Sequence, residues 1–212
     1  MHKITLVCSA HRENGLCNAE ELLKILRAIA PEVIFEERRP SESQRSLEAV
    51  AIAKYGECES FQRVAVDRYD MPGSLFAETQ RVFDCLEQTS EEYLALRKET
   101  DDRAHRYGFD YLNNAAFETT MARISETEEK VISATGDQEL IRGLERWRQF
   151  IQNRNVGMVG NIYKYCRENV FYTGVFLVGA AHKTGIVKLI GEYASTEAAE
   201  LIGWKSYDGE TP

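Results

Sequence analysis

The stretch VFLVGAAHKTG, residues 175–185, reads as a buried β-strand that ends at a histidine and then enters a helix. Its apolar run predicts a strand over 174–180. A second stretch near the N-terminus, ITLVCSAHRENG at 4–15, has the same form. Two strands that each end in small residues and a histidine, His11 and His182, predict a sheet with titratable groups along one edge.

The elements between these stretches favour an α/β fold with a mainly parallel sheet. Apolar runs predict strands over 3–9, 32–37 and 63–67, and helical periodicity predicts helices over 18–30 and 43–56 between them. Strands that alternate with helices are typical of parallel sheets joined by right-handed crossovers.

The middle of the chain, from about residue 74 to 168, carries helical periodicity and no strand signal. We therefore expect a single α/β domain over 1–212, with flanking helices and a large helical insertion between the third and fourth strands. The insertion would act as a lid over the sheet. A helix over 185–194 and a last strand over 201–206 would complete the fold.

Composition limits the class of partner. The chain of 212 residues has a net charge of −8, which suits nucleic-acid phosphates poorly. Its apolar runs are shorter than the roughly 20 residues that span a bilayer. The five cysteines have no CxxC spacing, which argues against a disulfide framework or a zinc ribbon. We expect a cytoplasmic protein that takes a small-molecule or peptide substrate and binds neither nucleic acid nor membrane. The sequence does not determine the oligomeric state, and a homo-oligomer is one of the options.

Candidate site residues follow from the ends of the predicted strands, because ligands of open α/β sheets bind at the carboxyl edge. These ends carry His11, Glu36 or Glu37, Asp67 and His182. Alternation along the second strand does not choose between the two glutamates, but Glu37 is nearer the edge. Each residue alone is more often structural, and their convergence is what predicts a site. Mixed imidazole and carboxylate donors suit divalent metals such as Mn, Co or Zn, which activate water.

A late predicted helix adds an arginine. In QNRNVGMVGNIYKYC, residues 152–166, Arg154, Met158 and Ile162 recur at helical spacing and share one face. An arginine on an apolar face needs a partner, because an unpaired buried charge is costly. Two roles stay open: a structural ion pair with Asp or Glu, or a clamp for an anion or for negative charge in a transition state.

These motifs together resemble the erythromycin esterase / TraB / TIKI / ChaN-like superfamily, and TraB-like members most closely. Gly179-Ala180-Ala181-His182 is similar to the second of its two GxxH motifs. The first motif reads Cys8-Ser9-Ala10-His11, with cysteine where the family has glycine. The segment PEVIFEERR, 31–39, resembles the family strand that ends in a glutamate, and counting from the proline places that glutamate on Glu37.

Two further segments carry the resemblance. Val66-Asp67-Arg68 resembles the Asp-Arg pair of TraB-like proteins. NRNVGMVGNI is similar to a family helix of the form RDxxMxxxI, which maps the arginine onto Arg154. Asn155 then stands where the family has aspartate.

The resemblance implies a hydrolase, either metal-dependent as in TIKI-like peptidases or metal-free as in erythromycin-esterase-like members. We expect a metal-dependent hydrolase that acts on a peptide or ester bond, with His11, Glu37, His182 and Arg154 as catalytic residues. A divalent metal, if present, would be held by His11, Glu37, Asp67 and His182. The superfamily also has a haem-associated branch, so the alternative is a non-catalytic ligand-binding module, for example for haem, or a protein-interaction module with a decayed site.

Overall fold

A computed structural model describes residues 1–37, 46–67 and 71–209 of the chain. The first residues of the helix predicted over 43–56 lie outside this described part. So does Arg68, the second member of the Asp-Arg pair.

The fold is α/β, as the sequence predicts, and its sheet is entirely parallel. The strand order is β3-β2-β4-β1-β5. The strands are β1 (His2–Ser9), β2 (Val33–Glu36), β3 (Gln62–Ala65), β4 (Thr173–Gly179) and β5 (Ile202–Ser206). The fourth strand therefore enters the sheet between the first and the second, which the order of elements along the chain does not reveal.

The described residues form seven α-helices. These are α1 (Ala19–Ile29), α2 (Leu47–Gly56), α3 (Gly73–Thr89), α4 (Glu91–Asn113), α5 (Ala115–Ala134), α6 (Gln138–Glu168) and α7 (Lys183–Ala194). The last helix begins two residues before the predicted 185, because a 3₁₀ turn over Ala180–His182 leads the chain directly from β4 into it. None of the helices in the described ranges is both long and apolar enough to cross a membrane.

The direction of each crossover decides which face of the sheet a helix covers. The connections from β1 to β2 and from β2 to β3 step toward the same edge, so right-handed crossovers place α1 and α2 on one face. The connection from β4 to β5 steps the other way and places α7 on the opposite face. Accordingly, α1 packs against α2, and α7 packs against α6.

Local sequence signals explain where the first crossover helix begins and ends. The side chain of Asn18 accepts a hydrogen bond from the backbone N–H of Glu21 and caps the helix. Leu22 and Leu26 point into the core and are fully buried. Pro31, two residues after the helix, has no N–H with which to continue it. The chain then turns into β2.

The helical insertion is present between β3 and β4, where the sequence predicts it, and comprises α3 to α6. It has an apolar core of its own, which we call the bundle core. Its members are Val82, Leu86, Tyr93, Leu96, Ile124, Ile132 and Leu144. Gly108 breaks α4 with a φ of 56°, and a side chain there would meet the backbone oxygen of Leu16 at 2.6 Å. This close approach joins the insertion to the loop that follows His11.

The strand register brings the predicted site residues to one edge. Ser9 of β1 lies opposite Gly179 of β4, so His11 and His182 follow neighbouring strand ends. On the other side of β4, Glu36 lies opposite Leu177, so Glu37 follows the adjacent end of β2.

Candidate active site

Glu37 lies at the centre of the cluster at the carboxyl edge, and its side chain is only 1% exposed. Its Oε2 accepts a hydrogen bond of 3.1 Å from the backbone N–H of Gly179. The ring Nε2 of His11 lies 3.3 Å from the same oxygen. On the other oxygen, Oε1, the guanidinium of Arg154 donates from Nη2, and Nε2 of His182 lies 3.9 Å away. The other three residues predicted as catalytic, His11, Arg154 and His182, thus meet at the carboxylate of Glu37.

Asp67 belongs to the same cluster through Arg154. Both Nε and Nη2 of Arg154 donate to Oδ2 of Asp67, at 2.9 and 2.5 Å. The end of β3 is held near α6 because Asn161 donates to the backbone oxygen of Val66. Arg154 therefore forms buried ion pairs with two carboxylates, Glu37 and Asp67. These pairs supply the partner that a charged side chain on an apolar helix face requires.

His11 is held by a second carboxylate that sequence reasoning missed. Its Nδ1 lies 2.8 Å from Oε1 of Glu48, in the first turn of α2. The backbone N–H of Leu47 donates to the backbone oxygen of His11. Glu48 is buried, and besides His11 its carboxylate interacts with the side chain of Ser9. The start of α2 therefore contacts His11 at both its ring and its backbone.

Gly179, the glycine of the second GxxH-type motif, makes room for the histidine of the first. A Cβ at this position would lie 2.4 Å from Nε2 of His11. His11 itself has a φ of 61°, in the left-handed region. A non-glycine residue there costs about 1–3 kcal/mol, so packing must hold it in place. The two motifs are thus one interlocked unit.

Cys8, which stands where the family has glycine, fits its position without strain. Its backbone N–H donates to Oδ1 of Asn113 at 2.8 Å within the regular end of β1. Burial raises the pKa of the Cys8 thiol to about 12, so the thiol is protonated at neutral pH. Cys8 is fully buried and packs in the sheet core.

The ring of His182 is oriented by an amide. Its Nδ1 lies 2.6 Å from Oδ1 of Asn155. An amide oxygen only accepts hydrogen bonds, so Nδ1 carries the proton and Nε2 faces Glu37. A Cβ on Gly185 would lie 2.3 Å from Nδ2 of Asn155, so that glycine is what lets the amide approach. Asparagine in place of the family's aspartate still orients the ring.

The charges within the cluster stabilise one another. Burial acts to lower the pKa of His11, but its hydrogen bonds to Glu37 and Glu48 outweigh burial and raise the pKa to about 9. Burial acts to raise the pKa of Glu37, yet His11, His182 and Arg154 together hold it well below its usual range. The pKa of Glu48 is also lowered, because its contact with His11 outweighs burial. At neutral pH the cluster therefore contains an imidazolium between two carboxylates.

The structure also separates the two glutamates that alternation left undecided. Glu36 forms a bidentate pair with Arg63, at 2.8 Å for both hydrogen bonds, and points away from the cluster. Glu37 points into it, at the position that the resemblance implies. A sequence signal for Glu48 did exist: it precedes Ala51, Ile52 and Tyr55 at helical spacing, which places a carboxylate on the buried face of α2.

The proposed metal ligands do not fit a divalent ion in this arrangement. Arg154 donates to both carboxylates, Glu37 and Asp67, and so occupies the place between them with a fixed positive charge. Both ring nitrogens of His11 face carboxylates as well. In the described ranges, no group of three or more His, Cys, Asp or Glu side chains is arranged to hold a metal ion. The metal stays a prediction, and the contacts favour chemistry without it.

Comparisons with known proteins identified no relative of this chain. No family model matches the chain, and no match was found among curated proteins or among solved structures. The resemblance to the superfamily therefore rests on the sequence motifs alone and stays a prediction.

Proposed function

We propose that this protein is a hydrolase that cleaves an ester or peptide bond by acid–base chemistry at the carboxyl edge of the sheet. The observation that carries the proposal is the position of Glu37, an ionised and buried carboxylate between two imidazoles and a guanidinium. Oppositely charged side chains lose their hydration when they are buried together, which costs free energy. They cluster at sites where proteins carry out proton transfer.

His182 is the general base in this scheme. Asn155 fixes the proton on its Nδ1, so Nε2 is the atom that takes a proton from the attacking water. Glu37, 3.9 Å from that nitrogen, stabilises the positive charge that then forms on the ring. The proton returns from His182 to the leaving group when the bond breaks.

His11 and Arg154 supply positive charge beside this base. With a pKa of about 9, His11 is an imidazolium at neutral pH and cannot serve as the base. Its side chain is 16% exposed and is more accessible than those of the other three predicted catalytic residues. Their N–H groups contact Glu37, Glu48 and Asp67, so both cations act on the reaction through Glu37, which they keep ionised beside the base.

The insertion supports a role in substrate selection. The helix α6 runs antiparallel to β4, and Arg154 lies near the carboxyl edge of the sheet. The part of α6 from Gln138 to Arg154 rises about 24 Å, at about 1.5 Å per residue, and therefore extends beyond that edge. The substrate would therefore bind between the strand ends and this part of the helix.

Hydrolysis of p-nitrophenyl acetate, p-nitrophenyl butyrate and alanine p-nitroanilide would test the proposal. We expect turnover above the blank for at least one of them, and a loss of about 10²-fold or more in kcat/KM for His182→Gln and Glu37→Gln. His105→Gln and Glu36→Gln are matched controls, because His105 is exposed and Glu36 pairs with Arg63 outside the cluster. Unchanged kcat/KM in His182→Gln would overturn the assigned base.

Elemental analysis of the purified protein, beside His11→Ala and His182→Ala, separates the two forms of hydrolase. We expect no stoichiometric Mn, Co or Zn, and turnover that survives a chelator. A metal that is present in the wild type and lost in both variants would instead show a metallohydrolase. An absence of turnover on all probes would favour the non-catalytic binding module.

A further inference from the structure

We propose that Glu48 is a positioning residue that holds the ring of His11 against Glu37, the carboxylate beside the general base His182. This inference rests on the proposed function. The residue lies outside every motif that carries the family resemblance, and it reaches the site from α2. There its Oε1 lies 2.8 Å from Nδ1 of His11.

The burial of Glu48 is not explained by packing. Its neighbours on the buried face of α2 are Leu47, Ala51, Ile52 and Tyr55. A carboxylate among apolar side chains loses its hydration, and an apolar side chain of similar volume is often at least as stabilising there. The compensation comes chiefly from His11, whose imidazolium donates to Oε1, with smaller contributions from Ser9 and the backbone of Glu48 itself. The largest stabilising contact of Glu48 is thus a site histidine, whose ring it is placed to orient.

The ring and the backbone of His11 both need contacts from α2 to stay in place, because the backbone conformation is strained. The backbone of His11 is in the left-handed region, which a residue with a Cβ leaves readily when its contacts are lost. Glu48 fixes the ring, while the neighbouring N–H of Leu47 fixes the backbone oxygen. Without Glu48, the ring could rotate about its bond to Cβ and lose its contact with Glu37.

Both ring nitrogens of His11 are used as donors in this arrangement. Nδ1 donates to Glu48 and Nε2 to Glu37. Ionised carboxylates only accept hydrogen bonds, so only the doubly protonated ring satisfies both. Glu48 therefore fixes the orientation of His11 and keeps the ring as an imidazolium in contact with Glu37.

NMR of the ring N–H protons tests the contact without any substrate. The chain has four histidines, so the signals can be assigned by His→Gln variants one at a time. We expect a slowly exchanging Nδ1–H signal of His11 in the wild type, its loss in Glu48→Leu, and its retention in the control Glu36→Gln. A wild type without this signal, or a Glu48→Leu variant that keeps it, would overturn the inference.

Kinetics with the p-nitrophenyl ester that the wild type hydrolyses fastest tests the role. We expect Glu48→Leu to lower kcat by about 10²-fold with KM nearly unchanged, because misorientation of a site group by about 1 Å has an effect of this size. Glu48→Gln, which retains an acceptor for Nδ1, should recover part of the loss. A merely structural glutamate would lower the midpoint of urea unfolding and leave kcat of the folded protein unchanged, which would refute the positioning role.

The two proposals fail in different ways. If the wild type hydrolyses none of the probes but Glu48→Leu abolishes the His11 signal, the proposed function fails while the contact stands. If the wild type hydrolyses a probe and Glu48→Leu keeps full kcat, the hydrolase stands and the positioning role fails.

Discussion

The carboxyl edge of the sheet and the bundle core of the insertion are both buried, yet they are stabilised in opposite ways. At the sheet edge, Glu37, Asp67, Arg154 and His11 form a chain of charged contacts. The bundle core consists almost entirely of apolar side chains, of which Leu86 is fully buried.

This difference shows where the chain departs from what stability alone would select. Apolar side chains at helical spacing are sufficient for a buried core such as that of the bundle. A buried cluster of opposite charges is stable only while every partner is present. It adds little net stability to the fold, whereas removing one partner destabilises the fold strongly. The sheet edge also contains His11 at a φ of 61°, whereas the described helices of the bundle break only at a glycine, Gly108. Strain and buried charge coincide at the edge, which is typical of a functional site.

Replacement of Arg154 by methionine should have the largest effect on stability. It leaves the carboxylates of Glu37 and Asp67 buried without the cation that pairs them, which costs about 3–5 kcal/mol. The loss should shrink on acidification, because protonation removes the buried negative charge. Urea unfolding at pH 7 and pH 5 measures both effects, and a loss that is the same at the two pH values would contradict this account of the edge.

Leu86→Ala in the bundle core should have the next largest effect on stability. It removes buried methyl groups and leaves a cavity, which typically costs about 2–5 kcal/mol. In contrast to Arg154→Met, the loss should not depend on pH, and the histidine ring signals of His11 and His182 should be unchanged. A change in those signals would mean that the two regions are more tightly coupled than their separate cores indicate.

The fall in the free energy of unfolding as the pH rises above neutrality should depend on His11. Its folded pKa of about 9 lies above the ordinary value of 6.5, so its contribution is fully present below pH 6.5 and is lost as the pH rises through 9. The full shift corresponds to about 3 kcal/mol. Urea unfolding between pH 6 and 8.5 should show a falling free energy of unfolding that is flatter in His11→Gln. His105→Gln, at an exposed site, should keep the wild-type slope.

Two glycine replacements should give the smallest changes in stability but the clearest contrast. Gly179→Ala places a Cβ 2.4 Å from Nε2 of His11, so we expect a loss of about 1–3 kcal/mol and the same fall in ester hydrolysis as in a His11 variant. Gly191→Ala in α7 meets nothing within 4 Å and should stabilise the protein by up to about 1 kcal/mol. Equal behaviour of the two variants in urea unfolding would refute the role given to Gly179.

Much of the fold was predictable from local patterns. Apolar runs located all five strands, and helical periodicity located the insertion between β3 and β4, because each element buries a face whose spacing is set by its own geometry. The position of Glu37 was also predictable, since it follows a strand directly. The place of β4 between β1 and β2 was not, because no short-range pattern specifies which strand pairs with which.

The candidate site was predictable only in part. His11, Glu37, Asp67, Arg154 and His182 each carried a local signal, and the structure brings them together. Glu48 was missed because a carboxylate in the first turn of a helix is ordinarily a favourable surface group. Asn155 was noted only as a departure from aspartate, and its hydrogen bond to His182 depends on the packing of α6 against α7.

The sequence by itself determined that this chain builds a parallel α/β sheet with titratable groups at its carboxyl edge, because apolar periodicity and strand ends are local properties. The tertiary structure alone decided how those groups interact. It placed Gly179 against His11 and Arg154 between two carboxylates, through residues more than eighty positions apart. Such contacts depend on strand order and helix packing, which arise only when the whole chain has buried its apolar faces.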